Sequence, residues 1–152
     1  MLKVNQISPS FLFFLLNIKK ANQKKSKMDV LLLGEKNTFK TSFAKTVLTK
    51  EYPGDDYSNT ESNNSYYGEI LVGKEETFCF TFHEYCGDIS SLKSCNYTGI
   101  EAIVFGFDIT NHSSFQNLSK YPEHVEKYFK TPLKQLNTIL IGFFFFYFYF
   151  YF

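Results

Sequence analysis

At 152 residues the chain suits one domain with a single core, and its 16 basic residues, all lysines, nearly balance 15 acids. The balance is uneven, because residues 1–27 carry six lysines and no acids and leave the rest mildly acidic. That body has no basic patch of the kind that binds nucleic acid.

Residues 1–27 contain a short apolar patch, Phe11 to Leu16, followed by Lys19, Lys20, Lys24, Lys25 and Lys27. A signal peptide has its charges ahead of the apolar run, and this patch is too short to span a bilayer. Three readings stand: a disordered basic leader, a weak membrane-surface anchor, or upstream sequence from a wrong start. The last is preferred, because Met28 directly precedes the first strand.

The apolar run Val30 to Leu33 ends in Gly34, and Lys40-Thr41 follows at the head of a helical pattern. A strand that breaks at glycine into a loop closed by Lys-Thr at a helix start is the layout of a phosphate-binding loop. The pattern wants a second glycine before the lysine, and Phe39 stands there instead. An ordinary strand, polar turn and helix would read the same way. Phe43, Ala44, Val47 and Leu48 give residues 41–50 one buried helical face, which stops before Pro53-Gly54.

Residues 55–65 are polar and rich in Asn and Ser, as in a surface loop, with Thr60 at their middle. Two strands are predicted over 66–72 and 77–83, joined at Gly73-Lys74 as a hairpin. In the second, Phe78, Phe80 and Phe82 alternate with Thr77, Cys79, Thr81 and His83, which puts a row of aromatics on the core face. Residues 84–88 leave the strand as a loop, and residues 89–97 suit an irregular helix.

Residues 102–107 are continuously apolar, suited to a central parallel strand, and end in DITNHSSF. Ser113 or Ser114 can cap the next helix, which should be interrupted or kinked near Pro122. Residues 138–141 repeat the buried-strand pattern and should stop at Gly142. Strands alternating with helices, plus one hairpin, predict an α/β fold with a mostly parallel sheet, one antiparallel hairpin strand and helices on both faces. Cys79, Cys86 and Cys95 show no CxxC spacing, and the three histidines are scattered. Free thiols and structural histidines are expected.

The order of elements, with GEKNTFKTS, the loop threonine, the hairpin and DITN followed by SF, resembles the Ras superfamily of small GTPases, whose fold is of the P-loop NTPase type. EYPGDDYSNT and SFQNLSKYPEHV are similar to Rho segments, and YTGIEAIVFGFDITN has Rab-like character. The resemblance covers residues 28–142. It implies a guanine-nucleotide-binding switch in signalling that takes GTP or GDP with Mg²⁺. The nucleotide contacts it implies are Gly34, Glu35, Lys36, Asn37, Thr38, Phe39, Lys40, Thr41, Ser42, Thr60 and Gly87. The metal contacts are Thr41, Thr60 and Glu84. Effectors and regulators would engage the loops around Thr60 and Gly87, in a cytoplasmic or membrane-peripheral setting.

Departures from the family pattern bear on activity. Phe39 should crowd the loop unless its ring turns into the core, and crowding would make Phe39→Gly bind nucleotide better. Lys36 replaces a glycine near the γ-phosphate. Glu84 stands for an aspartate that holds Mg²⁺ through water, with one methylene more. Asp88 takes the catalytic position of a water-orienting glutamine, but a carboxylate is repelled by the γ-phosphate and lacks the amide donor. The chain contains no arginine. Slow hydrolysis is therefore expected, and a pseudo-GTPase binding module without turnover is the rival reading.

After ILIG the family continues with an N/T-K-x-D motif that selects guanine, whereas this chain reads FFFFYFYFYF. The apolar run is shorter than the roughly 20 residues a spanning helix needs. Residues 143–152 could extend the last strand, but so many exposed aromatics would be an aggregation hazard, and they read best as an aromatic tail from a gene-model artefact. The base-selecting motif, the C-terminal part of the domain and one sheet face's cover are then missing, and no prenylation box is present.

Overall fold

The computed structural model describes residues 27–49, 62–72, 76–85, 89–94, 98–129, 132–144 and 147–151. Thr60, Gly87 and Asp88, the Pro53-Gly54 pair, the Gly73-Lys74 turn and all but the last residue of the leader lie outside them. The elements are β1 (Lys27–Leu33), α1 (Lys40–Thr49), β2 (Asn64–Val72), β3 (Glu76–Glu84), β4 (Ile100–Asp108), α2 (His112–Leu118), α3 (Tyr121–Phe129), β5 (Asn137–Phe144) and β6 (Tyr147–Tyr151). A 3-10 helix covers Ile89–Ser94 and a shorter one Leu133–Gln135.

One sheet runs in the order β2-β3-β1-β4-β5-β6. Strands β3, β1, β4 and β5 are mutually parallel, and β2 joins as the antiparallel hairpin partner of β3. The α/β architecture read from the sequence is the one observed. The continuous apolar character of β1 and β4 follows from their central position, where both faces are covered.

On one face, Met28, Val30 and Leu32 meet the aromatic row Phe78, Phe80 and Phe82, and α1 closes over them with Phe43, Ala44 and Val47. Phe43 meets Phe82 edge-on at 5.9 Å, and Phe80 and Phe82 stack at 6.0 Å. On the other face, Leu31, Leu33, Ile103 and Phe107 pack against Leu92, Leu118, Tyr121 and Val125. Both faces of the sheet therefore carry a buried cluster. His83 has a structural part: its Nε2 lies 2.9 Å from Asp29 Oδ1 and its Nδ1 2.9 Å from Ser65 Oγ, linking β3 to both neighbours.

The interruption expected near Pro122 is observed as two helices: the break precedes Pro122, which sits in the first turn of α3 where its missing N–H leaves no bond unmade. Two sequence expectations need correction. The cap of α2 is Asn111, not Ser113 or Ser114; its side chain accepts from the N–H groups of both serines. Strand β5 does not stop at Gly142. Strand β4 continues to Asp108 and offers Phe107 and Asp108 as partners to Gly142 and Phe143. Tyr147–Tyr151 form β6, a second antiparallel strand at the opposite edge from β2.

Phe82 is fully buried between Phe43 and Phe80. Phe82→Ala should lower stability by about 3–5 kcal/mol, the usual cost of a deleted core phenylalanine. Urea unfolding of the full chain measures it, and a loss below about 1 kcal/mol would contradict this packing.

Candidate functional site

Strands β1, β3 and β4 are parallel, so their carboxyl ends lie along one edge of the sheet, where α/β folds place ligands. Gly34 leaves β1 at φ 151° and passes tightly beside β4. A Cβ at Gly34 would lie 2.2 Å from the Gly106 carbonyl oxygen, and a Cβ at Gly106 would lie 2.5 Å from the Phe143 ring. Glycine at 34 lets the loop start flush against the sheet, and glycine at 106 leaves room for the Phe143 ring.

The loop closes around an ammonium group. Lys40 is only 4% exposed, and its Nζ donates to the carbonyls of Gly34 at 3.1 Å and Glu35 at 2.6 Å. Thr38 Oγ1 donates to the same Glu35 carbonyl at 2.8 Å and lies 3.4 Å from Nζ. Asn117 on α2 reaches across to Glu35, its Nδ2 donating to Oε1 at 2.6 Å. The DITN turn makes that possible. Asp108 Oδ1 accepts from the Thr110 N–H and hydroxyl, and Asn111 caps α2, so the helix is aimed at the loop. Lys36 and Asn37 form the exposed tip.

Phe39 takes a backbone conformation that favours glycine. Its φ is 56°, in the left-handed region, and Asn37 has φ 63°. The ring is partly buried and packs against the cluster under α1, so it has turned into the core and away from the loop. The expected crowding, and with it a gain in affinity for Phe39→Gly, therefore loses its basis. The carbonyl of Phe39 accepts the Phe43 N–H at 2.8 Å and starts the helix.

The first turn of α1, from Lys40, contains no acidic residue of its own. Ser42 Oγ is buried with no hydrogen-bond partner among the described residues, an arrangement that costs about 1–3 kcal/mol until something pairs with it. An anion at the head of α1 would meet an ammonium, the positive end of the helix dipole and a hydroxyl together.

Beside this lies a carboxylate. Glu84 ends β3 at 3% exposure, and the Thr41 hydroxyl donates to it, 2.7 Å from Oε2 and 2.9 Å from Oε1. Tyr66 on β2 donates its phenol to Oε2 at 3.1 Å. Burial, and secondly the charge of Glu84, push the Tyr66 phenol above its ordinary value and keep it protonated as a donor at neutral pH. A hydroxyl and a carboxylate are hard oxygen donors of the kind Mg²⁺ takes alongside phosphate oxygens, so Thr41 and Glu84 suit that cation.

The structure thus gathers Gly34 to Ser42 and Glu84 at one edge, while Thr60, Gly87 and Asp88 fall outside the described residues. Tyr66 and Asn117 escaped sequence reasoning. The alternation of β2 puts Tyr66 on the face of Ile70, and its register opposite Phe82 brings it toward Glu84, but pattern alone does not announce the bond.

A P-loop α/β fold with a lysine-filled loop and an adjacent hydroxyl–carboxylate pair is that of a phosphate-binding protein. The Ras family model matches residues 29–143, and the chain belongs to the Ras family, a family of small GTPase-like nucleotide-binding switches. Among curated proteins, none matches the chain significantly. No helix among the described residues is long and apolar enough to cross a membrane.

Position 39 gives a signed test. Phe39→Ala loses the ring and keeps the left-handed strain, whereas Phe39→Gly loses the ring and relieves it. The glycine variant should be the more stable by about 1 kcal/mol, reversing the usual order in helices. Urea midpoints of the two variants decide it. Alanine equal to or better than glycine would contradict the backbone conformation at this residue.

Proposed function

We propose that the chain is a Rho-like small GTPase-type switch that binds GTP and GDP with Mg²⁺ and hydrolyses GTP slowly. The observation that carries the nucleotide site is the closed loop from Gly34 to Ser42, with Lys40 at its centre and the start of α1 beside it. Lys40 would move from the loop carbonyls to phosphate oxygens. Its ammonium is already inside the loop, so little reorganisation is required.

Thr41 and Glu84 would hold Mg²⁺, which when bound screens the phosphate charge. Thr60 would complete the metal contacts, and Gly87 would meet the γ-phosphate through its N–H. Ordering of these two loops by the γ-phosphate, and release after hydrolysis, is how such a switch presents itself to effectors and regulators. The Rho assignment rests on the likeness of EYPGDDYSNT and SFQNLSKYPEHV alone.

Slow turnover follows from two residue types. Asp88 supplies a negative charge where an amide would orient water, and the absence of arginine leaves no arginine in cis for the transition-state charge. The same facts support a second reading, a pseudo-GTPase that binds nucleotide and signals without turnover.

Titration of the full chain with fluorescent GDP should give saturable binding that tightens with Mg²⁺. Lys40→Ala should weaken it by about 10–100-fold, the loss of charged hydrogen bonds to phosphate. Absence of saturable binding would end the switch reading. Single-turnover hydrolysis of bound GTP separates the two versions: a slow but measurable rate fits the switch, and none fits the binding module.

A further inference from the structure

Helix α2 is tied to the end of β4 by its own side chains. Buried Ser114 accepts the Asp108 N–H at 3.0 Å and donates to the Asn111 carbonyl at 2.7 Å. Leu118, four residues on, sits in the core cluster with Leu31, Leu33 and Phe107. Asn117 lies on the same side of the helix, one turn beyond Ser114 and next to Leu118. Those two anchors fix where its carboxamide stands.

That carboxamide bridges opposite charges. Its Nδ2 donates to Glu35 Oε1 at 2.6 Å, and its Oδ1 accepts from the Lys120 ammonium at 2.7 Å. The cation takes the acceptor end and the carboxylate takes the donor end, so a flipped amide would set oxygen against oxygen. Glu35 is half-buried, and it is also the residue whose backbone carbonyl receives Lys40 Nζ at 2.6 Å and Thr38 Oγ1 at 2.8 Å. One residue therefore carries inner bonds of the loop on its carbonyl and a tie to α2 on its side chain.

We propose that Asn117 is a positioning residue for nucleotide retention: through Glu35 it holds the first turn of the loop in place when Lys40 leaves that carbonyl for phosphate. The inference rests on the nucleotide-binding reading above. In the empty loop the Lys40 ammonium and the Asn117 amide both restrain Glu35. Once the ammonium turns to phosphate oxygens, the carbonyl keeps Thr38 and the side chain keeps Asn117. Loss of Asn117 then loosens the loaded loop more than the empty one, and nucleotide leaves faster. Lys120 acts one step further out, by orienting the carboxamide.

Stopped-flow release of fluorescent GDP from the full chain tests this. Asn117→Ala should speed dissociation about tenfold, the low end for losing a hydrogen bond to a charged group, because Glu35 is only half-buried. The association rate constant and the urea midpoint of the nucleotide-free chain should stay near wild type, which a merely structural contact would not allow. Asn117→Asp sets two carboxylates together and should release GDP faster still. Adding Glu35→Gln to Asn117→Asp restores a donor facing a carboxylate and should bring dissociation back toward wild type. Unchanged dissociation in Asn117→Ala, or no recovery in the double variant, would overturn the proposal while leaving the nucleotide reading intact. Failure of the wild-type chain to bind GDP would overturn that reading, and the proposal with it.

Discussion

The contact on which the arrangement depends is the bond between the Thr41 hydroxyl and the buried carboxylate of Glu84. It ties the first turn of α1 to the end of β3, so that helix start and strand end form one edge. A charged oxygen at 3% exposure is tolerable only when it is satisfied, and here Thr41 and Tyr66 both donate to it. Removing either donor leaves the carboxylate short of partners at the place where a cation would compensate it. Core packing brings the two elements together: Phe43, two residues past Thr41, locks onto Phe82, two residues before Glu84.

The loop shows how a family pattern survives a residue that seems to forbid it. Phe39 occupies a left-handed backbone position at a cost of about 1–3 kcal/mol. Its ring offsets part of that cost by packing against the core under α1. The backbone path, which sets where Lys40 and Thr41 point, is therefore retained while the residue changes. Gly34 had no such option, because its Cβ would collide with the backbone of β4 and not with a movable side chain.

Much of this was legible in the sequence. Period-two aromatics at Phe78, Phe80 and Phe82, and continuous apolar runs in β1 and β4, announced a covered α/β sheet because burial periodicity is written directly into residue type. Lys40 and Thr41 were legible because a phosphate loop needs both at fixed spacing. The cap of α2 was not legible: serine and asparagine cap equally well, so Ser113 and Ser114 compete with Asn111, and only the φ of −118° and the bonds to both serines decide for Asn111. The extension of β5 past Gly142 and the pairing of β6 were not legible, because strand ends depend on what the neighbouring strand offers. Tyr66 and Asn117 act on the site through tertiary contacts, with Glu84 and Glu35, that no local pattern encodes.

The central claim is that the loop from Gly34 to Ser42 and the end of β3 form one ligand site. Backbone amide NMR of the full chain, titrated with GDP and Mg²⁺, tests it most directly. The account predicts saturable shifts concentrated at Gly34 to Ser42 and at Glu84, with Tyr66 moving only when the cation is added. Shifts confined to the Ser65–His83–Asp29 side of the sheet, or a loop unmoved at saturating nucleotide, would contradict it.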